Sequence, residues 1–584
     1  MQKAAAKPRL VNHSAEWTAA ESAELYGIRN WGAGYFDINE AGNVTVSVPI
    51  DGARVSASLT DLIAGMQQRG LQMPALLRLD NLLEAQIALL NESFGKAIQT
   101  LGYKAEYHGV FPIKVNQQCA VIEEIARVGA RYGHGLECGS KAELLIALAY
   151  LEPDKGYIIC NGYKDEEFVD LALQSLRLGF KCFFVLETPT ELPLILEASK
   201  RLDVRPMLGI RVKLAAKVEG HWNESSGDRS IFGLTTAQLV ELVDALREHG
   251  LLDCLQLLHY HLGSQIPNIR DIRGGVLEAC RYYVSLKQEG ASMGYLDLGG
   301  GLGVDYDGSQ TNSNYSKNYS LDEYSSDVIE TIMTALAGTD VAHPVLITES
   351  GRATVAYSSI LLFNILDVTS YEPGGAAPVV PEDEHELVKN LLEVLKGVSI
   401  KAAKECYNDA IFYREEIRDL FRRGQIRLRS LSLAENIFLH IVWGILADIT
   451  CDSDGKIDRF IESGGLRRTL PVHPLVEGQP YYFGVFLVGA YQETLGDLHN
   501  LMGDTNVASV RIQADGSFEF AREMSGDSIA DVLSYVEYQP QKLLEQLRRT
   551  AELAVRNERI TLAQRQTLLE SFSASLRGYT YYED

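Results

Sequence analysis

The chain has no apolar run long enough to cross a membrane as a helix, which excludes the hydropathy pattern of an integral helical membrane protein. Its first residues, Met-Gln-Lys-Ala-Ala-Ala-Lys, lack the apolar core of a secretory signal. Paired cysteines are missing too. Cys119, Cys138, Cys160, Cys182, Cys254, Cys280, Cys406 and Cys451 are scattered, with no Cys-x-x-Cys pair and no histidine-rich cluster. No disulfide framework or zinc motif is suggested, and we expect a reduced, cytoplasmic protein. Positive charge is also in short supply. Against 78 acidic residues stand 54 basic ones, a net charge of −24. That argues against nucleic acid as a partner and is compatible with a cationic substrate drawn in by long-range attraction. There is no internal repeat and no low-complexity segment, only a polar loop at Gly308 to Ser320.

What is present is an ordinary globular composition, 46% hydrophobic and 23% charged, over 584 residues, enough for two or three domains. After a polar leader, Trp31 to Val48 alternates and turns at Ala41-Gly-Asn43, the pattern of a β-hairpin. From about residue 75 short β-rich runs alternate with helical stretches. The runs are Glu106 to Val115, Tyr132 to Glu137, Gly156 to Asn161, Lys181 to Glu187, Arg205 to Lys213, Leu255 to Leu262, Met293 to Leu298 and Val345 to Glu349. Eight strands separated by helices is the arithmetic of a (β/α)8 barrel, although a doubly wound sheet can use a similar pattern. The barrel is favoured because nearly every strand ends in a polar residue a core would not choose: Lys114, Glu137, Asn161, Glu187, Arg211, His261, the Gly299 to Gly301 run, and Glu349. Barrel enzymes put their chemistry at those carboxyl ends.

The rest divides by texture. Residues 1–74 precede the barrel (75–350), and 351–380 with 429–535 read as a β domain. A charged, helix-forming insertion at 381–428 interrupts that domain, and amphipathic helices close the chain at 536–584. Within the β domain we expect a strand run at Tyr481 to Ala490 and a hairpin from Val507 to Arg522 turning at Asp515-Gly516.

The chemistry centres on Val110-Phe-Pro-Ile-Lys-Val-Asn116, which sets a lone lysine at the end of a buried apolar run. Burial disfavours the ammonium form, and a free amine can form an imine with a carbonyl cofactor. The bland alternative is a strand-end lysine whose head snorkels to water. Leu296-Asp-Leu-Gly-Gly-Gly-Leu-Gly-Val-Asp-Tyr306 puts three glycines directly after a strand, where backbone N–H groups could cradle a phosphate or simply make a tight turn. Ile347-Thr-Glu-Ser-Gly-Arg352 offers a carboxylate that could hold a pyridine nitrogen protonated and a guanidinium that could grip phosphate; a salt-bridged strand end is the plain reading. In His259-Tyr-His-Leu-Gly-Ser264, His261 is either a core histidine or an imidazole against a flat ring, with Ser264 a phosphate donor; two histidines with no third ligand make a poor metal site. Together these are the needs of pyridoxal phosphate. Thr450-Cys-Asp-Ser-Asp-Gly455 reads as a turn, or as a thiol acid with two carboxylates facing a cation.

These motifs, in this order, closely resemble the biosynthetic arginine decarboxylases, a branch of the barrel-type pyridoxal phosphate decarboxylases that also holds ornithine and diaminopimelate decarboxylases. The resemblance spans nearly the whole chain, from Trp31-Gly-Ala-Gly-Tyr-Phe36 through Pro112-Ile-Lys-Val-Asn-Gln-Gln118, Cys160-Asn-Gly-Tyr-Lys-Asp165 and His261-Leu-Gly-Ser-Gln265. It continues through Ala490-Tyr-Gln-Glu493, His499-Asn-Leu501 and Gly503-Asp-Thr505 to Arg577-Gly-Tyr-Thr-Tyr581. It implies that Lys114 links the cofactor, His261 stacks on its ring and Glu349 partners the pyridinium. Ser264, Gly299, Gly300, Gly301, Arg352 and Tyr491 would hold the phosphate. Cys451 would be the catalytic acid, with Asp452 and Asp454 near the substrate's distal end and Leu296, Asp297, Leu298, Gly303, Asp305 and Tyr306 also assigned to substrate. It further implies a barrel plus a β-sandwich-like domain to which residues 1–74 contribute, and homodimers or homotetramers with sites at subunit interfaces. The implied reaction is decarboxylation of L-arginine to agmatine and CO2, opening a polyamine (putrescine and spermidine) route. Some members of the family require Mg2+, but no motif here reads as its site.

Two departures stand out. Ile231-Phe-Gly-Leu234 replaces the family's Lys-Phe-Gly-Leu, and Tyr357-Ser358 replaces a His-His pair; neither falls on the cofactor set, and both leave substrate preference open. The rival readings are a decarboxylase of diaminopimelate or ornithine, a racemase, and an inactive regulator on the same fold.

Overall fold

The computed structural model describes residues 18–216, 230–366, 379–397, 403–439, 478–494 and 498–581, with isolated short segments between 446 and 472. Residues 1–363 together with 484–584 form one unit and residues 364–483 another.

The first unit is built on a closed barrel of eight parallel strands. These are β1 (Tyr107–Pro112), β2 (Gly135–Cys138), β3 (Tyr157–Cys160), β4 (Lys181–Leu186), β5 (Met207–Arg211), β6 (Leu255–His259), β7 (Tyr295–Asp297) and β8 (Val345–Thr348). Neighbours in sequence are neighbours in space, and β8 closes on β1 with Leu346 opposite Tyr107. The strands read as unbroken apolar runs because both faces are buried. Val110, Ile159, Phe183, Val185, Leu257 and Ile347 fill one cluster. Their neighbours Phe111, Ile158, Cys160, Phe184 and Leu346 pack into the larger core that also holds the surrounding helices. Period-two alternation thus divides each strand between two cores.

The intervening helices carry their own start signals. Thr235 and Ser320 each close a capping box, with Gln238 and Glu323, at the heads of Thr236–Glu248 and Leu321–Leu336. Helix Ile269–Gln288 turns Ile272, Val276, Ala279, Cys280 and Tyr283 inward, the three-to-four spacing of one buried face.

Some boundaries differ from the sequence reading. Ala75–Leu79, buried at every position, lies outside the barrel. It pairs with Ser359–Asn364 on one side and Asn506–Ile512 on the other, and Phe518–Met524 follows as the next strand. Long-range pairing, not local pattern, assigned it to that sheet. The N-terminal hairpin is present, but its first strand is only Phe36–Ile38, because Trp31 ends a short helical turn, and a third strand, Ala53–Ser58, completes a separate three-stranded sheet. The expected strand through Tyr481 to Ala490 is confined to Tyr482–Val485. The hairpin around Asp515-Gly516 and the helices Pro540–Arg556 and Leu562–Ser575 stand where expected, preceded by a further helix, Ile529–Tyr535.

Among its described residues the second unit holds three helices, Glu386–Gly397, Ala403–Arg422 and Leu428–Leu439, around Val388, Leu391, Ala410, Ile417, Ala434, Ile437 and Phe438. The third helix runs past residue 428, because its apolar face completes this small core. Two short antiparallel pairs follow, Leu446–Ala447 with Lys456–Ile457 and Phe460–Glu462 with Gly465–Arg467. Among the described residues no helix is long and apolar enough to cross a membrane.

Candidate active site

A cavity of about 340 Å³ opens at the carboxyl end of the barrel, within the range of small-molecule sites. Its lining includes Lys114, Glu137, Asn161, Glu187, Arg211, His259, His261, Ser264, Gly300, Gly301, Glu349, Arg352 and Tyr491. Residues scattered over nearly 400 positions are brought together because every barrel strand delivers its last residue to the same rim.

Lys114 sits in a single turn, Ile113–Val115, directly after β1. Ile113 and Val115 are buried on either side of it, so the turn anchors itself in the core and leaves Lys114 in the cavity. Its ammonium donates to both Glu137 oxygens at 3.0 and 3.1 Å. This corrects the expectation of a free amine. Desolvation does favour the neutral form, but Glu137 and Glu349 outweigh it and raise the Lys114 pKa above the ordinary lysine value.

Glu349 follows β8, the strand next to β1, and accepts from Asn161 Nδ2 at 2.7 Å. Burial, then the neighbouring Asp297 carboxyl, push its pKa up to about 8. The His261 imidazole is held well below its usual range by burial and by Arg211, so it is neutral; its Nδ1 accepts from the Gly300 N–H at 3.4 Å. Arg211 is paired with Glu187 at 2.6 Å.

Arg352 donates from Nη1 to Tyr306 Oη at 3.0 Å and from Nη2 to Ser264 Oγ at 3.2 Å, and its guanidinium carbon lies 5.1 Å from the Tyr491 ring. Among the described residues its buried Nε has no hydrogen-bond partner. The glycine run passes alongside with φ of +62° at Gly299 and +115° at Gly301. A Cβ at Gly299 would meet the Tyr260 carbonyl at 2.3 Å, so this close approach of backbone requires glycine. A hydroxyl, an incompletely satisfied guanidinium and glycine backbone at one end of the cavity fit an anion such as a phosphate. A neutral imidazole and a buried carboxyl farther along fit a heteroaromatic ring. The residues present therefore fit pyridoxal phosphate.

Other sequence-predicted residues lie elsewhere. Gly299 stands one residue behind the lining. Leu296 and Leu298 point into the barrel's outer core, and Asp297 is buried beneath the cavity, so none of the three lines it. The Gly303 N–H donates to Tyr319 Oη at 3.1 Å and Asp305 accepts from Ser316 Oγ at 2.6 Å, bracing the loop that carries Tyr306 to Arg352. Cys451, Asp452 and Asp454 lie outside the described residues. Sequence reasoning gave no role to Phe232, which lines the cavity with its ring 5.6 Å from the Arg211 guanidinium carbon. The departure at Ile231 therefore adjoins the site after all, although Ile231 itself is 83% exposed.

Residues 87–356, which contain the entire barrel, match the family model described as pyridoxal-dependent decarboxylase, pyridoxal binding domain. Fold and cavity together thus define a barrel-type pyridoxal-dependent decarboxylase. Residues 381–452 match the arginine decarboxylase helical bundle domain, and 529–582 the arginine decarboxylase C-terminal helical extension. The chain is 41% identical to a biosynthetic arginine decarboxylase of Thermosynechococcus vestitus, over 98% of this chain and 99% of the relative. It is 38% identical to that of Bacteroides thetaiotaomicron, over 97% and 100%. The chain belongs to the biosynthetic arginine decarboxylase family. The crystal structure of the Campylobacter jejuni biosynthetic arginine decarboxylase superposes with a TM-score of 0.79 at 28% identity, covering 96% of this chain and 99% of that one. A diaminopimelate decarboxylase from M. jannaschii, at 18% identity and a TM-score of 0.56, shares the fold.

Proposed function

We propose that the chain decarboxylates L-arginine to agmatine and CO2 with pyridoxal phosphate in the barrel cavity, as a first step towards polyamines. The observation that carries the reading is the convergence of Lys114, His261, Ser264, Glu349, Arg352 and Tyr491 on one cavity, in a chain that matches biosynthetic arginine decarboxylases along its whole length.

Pyridoxal phosphate, when bound, supplies an electron-poor ring that accepts the electron pair left on Cα as CO2 departs. The chain does the rest. Arg352, Ser264, Tyr491 and the backbone of Gly299 to Gly301 would hold the phosphate, and Lys114 would tie down the carbonyl end. Glu137 keeps the Lys114 ammonium aimed into the cavity and is placed to take up a proton when the amine is needed. His261, neutral, would lie against the ring without adding charge, and Glu349 would partner the ring nitrogen. Cys451 returns a proton to Cα, while Asp452 and Asp454 receive the guanidinium. Tyr306, held against Arg352, and the braced loop of Gly303 and Asp305 shape the phosphate end. Because the family resemblance places the Cys451 segment across a subunit interface, we assign it to the site of a second copy in a homodimer or larger homo-oligomer. The reading places the enzyme in the cytoplasm and leaves Mg2+ as a family trait without a site assigned.

The test is incubation of the purified chain and pyridoxal phosphate with arginine, ornithine, lysine and diaminopimelate, scoring amine and CO2. Agmatine from arginine, with little product from the others, is expected. Release of cadaverine, putrescine or lysine in its place would transfer the chain to another branch of the class, and no CO2 from any of them would leave an inactive regulator.

A further inference from the structure

Beneath the cavity lies a group of three side chains that the reading above uses only in part. His259 ends β6, Asp297 ends β7 and Glu349 follows β8, so three adjacent strands deliver them to one spot, each no more than 5% exposed. His259 Nδ1 is 2.9 Å from Asp297 Oδ2 and 3.7 Å from Glu349 Oε1. Asp297 and Glu349 bring carboxylate oxygens within 4.8 Å of one another. Asp297 Oδ1 accepts the Gly299 N–H at 2.9 Å, which turns its second oxygen towards His259 and Glu349 and links it to the glycine run.

Two carboxyl groups this close and out of water cannot both ionise without strong repulsion, so such a pair keeps a proton. We propose that Asp297 and His259 are positioning residues for Glu349, holding its carboxyl in register with the glycine run and sharing a proton with it. The assignment of Asp297 to substrate, which the family resemblance implies, is thereby replaced by one beneath the cofactor site.

The surroundings agree. Burial pushes Asp297 up to about 7 and Glu349 up to about 8, and holds His259 below its usual range. The other charges facing the three are Glu137, Glu187, Arg211 and Lys114. Glu137 and Glu187 are each paired with a cation, Lys114 at 3.0 Å and Arg211 at 2.6 Å, whereas Asp297 and Glu349 accept from the neutral donors Gly299 N–H and Asn161 Nδ2. The same three residues also place one ligand atom apiece within 4.8 Å of one another, a geometry that could take a divalent cation. Proton sharing and cation binding make opposite demands, since a ligating carboxylate must be ionised.

The inference rests on the proposed function only in naming what Glu349 faces, and the test separates the two. Infrared spectra of the full-length chain without cofactor should show a protonated buried carboxyl at neutral pH that Glu349→Gln removes and added Mg2+ leaves unchanged. In Asp297→Asn the Glu349 carboxyl, relieved of a like charge, should ionise roughly one pH unit or more lower. After reconstitution, that variant should bind pyridoxal phosphate at least about tenfold more weakly, with the pH midpoint of the bound cofactor's visible absorbance displaced in the same direction. His259→Gln should displace that midpoint by less, since it removes no charge. Absence of a protonated carboxyl in the wild-type chain would overturn proton sharing without any variant having to fold. Its loss on adding Mg2+ would replace it with a cation site. An intact carboxyl band in a chain that binds no pyridoxal phosphate would leave this inference standing and overturn the proposed function.

Discussion

Arg78 and Glu493 stand 415 positions apart in the chain and meet in a buried ion pair, Nη2 to Oε2, at 2.7 Å. Ser359 Oγ donates to the other carboxylate oxygen at 2.6 Å. Two residues earlier Tyr491 lines the cavity with φ of +70°, a backbone conformation a tyrosine adopts only when its surroundings impose it. Its N–H donates to the Val115 carbonyl at 2.8 Å, and Asn116 Nδ2 holds the Gly489 carbonyl at 3.0 Å. The loop is thus pinned on one side by the residues that follow Lys114 and on the other by Arg78.

Glu493→Ala should therefore act twice. Leaving the Arg78 guanidinium buried without its carboxylate should cost about 3–5 kcal/mol, read as a lowered urea midpoint. Releasing Tyr491 should weaken pyridoxal phosphate binding, read by titrating the cofactor into the folded variant. The double variant Arg78→Met/Glu493→Leu should regain most of the stability and little of the cofactor affinity. Full recovery of both would make the pair merely structural.

Lys114→Ala tests the covalent link. Borohydride treatment of the wild-type chain with cofactor should leave a phosphopyridoxyl mass increment on the peptide containing Lys114, and the variant should carry none there or on any other peptide of the barrel. An increment on a different lysine at equal yield would move the assignment.

Asp454→Asn addresses recognition of the guanidinium. Removing one partner of a desolvated charge pair costs roughly 2–5 kcal/mol, so kcat/KM for arginine should fall by that amount while cofactor affinity stays as in wild type. Equal activity would point to another carboxylate, for which Glu187 at the cavity wall is the first to examine.

Cys451→Ala and Lys114→Ala together test whether two chains build each site. Each variant alone should be nearly inactive, the cysteine variant while retaining cofactor. In a mixed dimer with composite sites one site collects both defects and the other neither, so random pairing should restore about a quarter of wild-type activity. No recovery in demonstrated heterodimers would return Cys451 to its own barrel.

His134 should mark the acid limit of the fold. It is fully buried, both ring nitrogens lack a hydrogen-bond partner among the described residues, and burial, with His108 adding to it, lowers its pKa from 6.5 to about 4. The unfolded chain takes up this proton near pH 6.5 and the folded chain only near pH 4. Its contribution is therefore fully present above pH 6.5, falls as pH drops through that window, and is lost below it, about 3 kcal/mol in all. His134→Phe keeps a ring in place and removes the titration. Its urea midpoint should decline less than the wild type's between pH 7 and pH 4, and parallel curves would show that another group sets the limit.

Much of this architecture was determined by the sequence itself. Eight apolar runs, each ending in a polar residue, declare a barrel because strands buried on both faces need continuous apolar sequence and only their ends can carry chemistry. Lys114, His261, Ser264, Glu349 and Arg352 were legible for the same reason, as polar residues at positions where a core would reject them. The tertiary structure decided what no local pattern records. Ala75–Leu79 falls at the start of the range read as the barrel, but its hydrogen bonds go to Ser359–Asn364 and Asn506–Ile512, far along the chain. Lys114 reads as a buried amine, yet Glu137 on the adjacent strand makes it an ammonium. Asp297 stands two residues before the glycine run, and only the closure of β6, β7 and β8 around it brings His259 and Glu349 close to its carboxyl. Burial and periodicity are local properties that a chain writes along its length, whereas a charge state depends on which groups lie within a few ångströms through space, and that is settled when the strands close into a barrel.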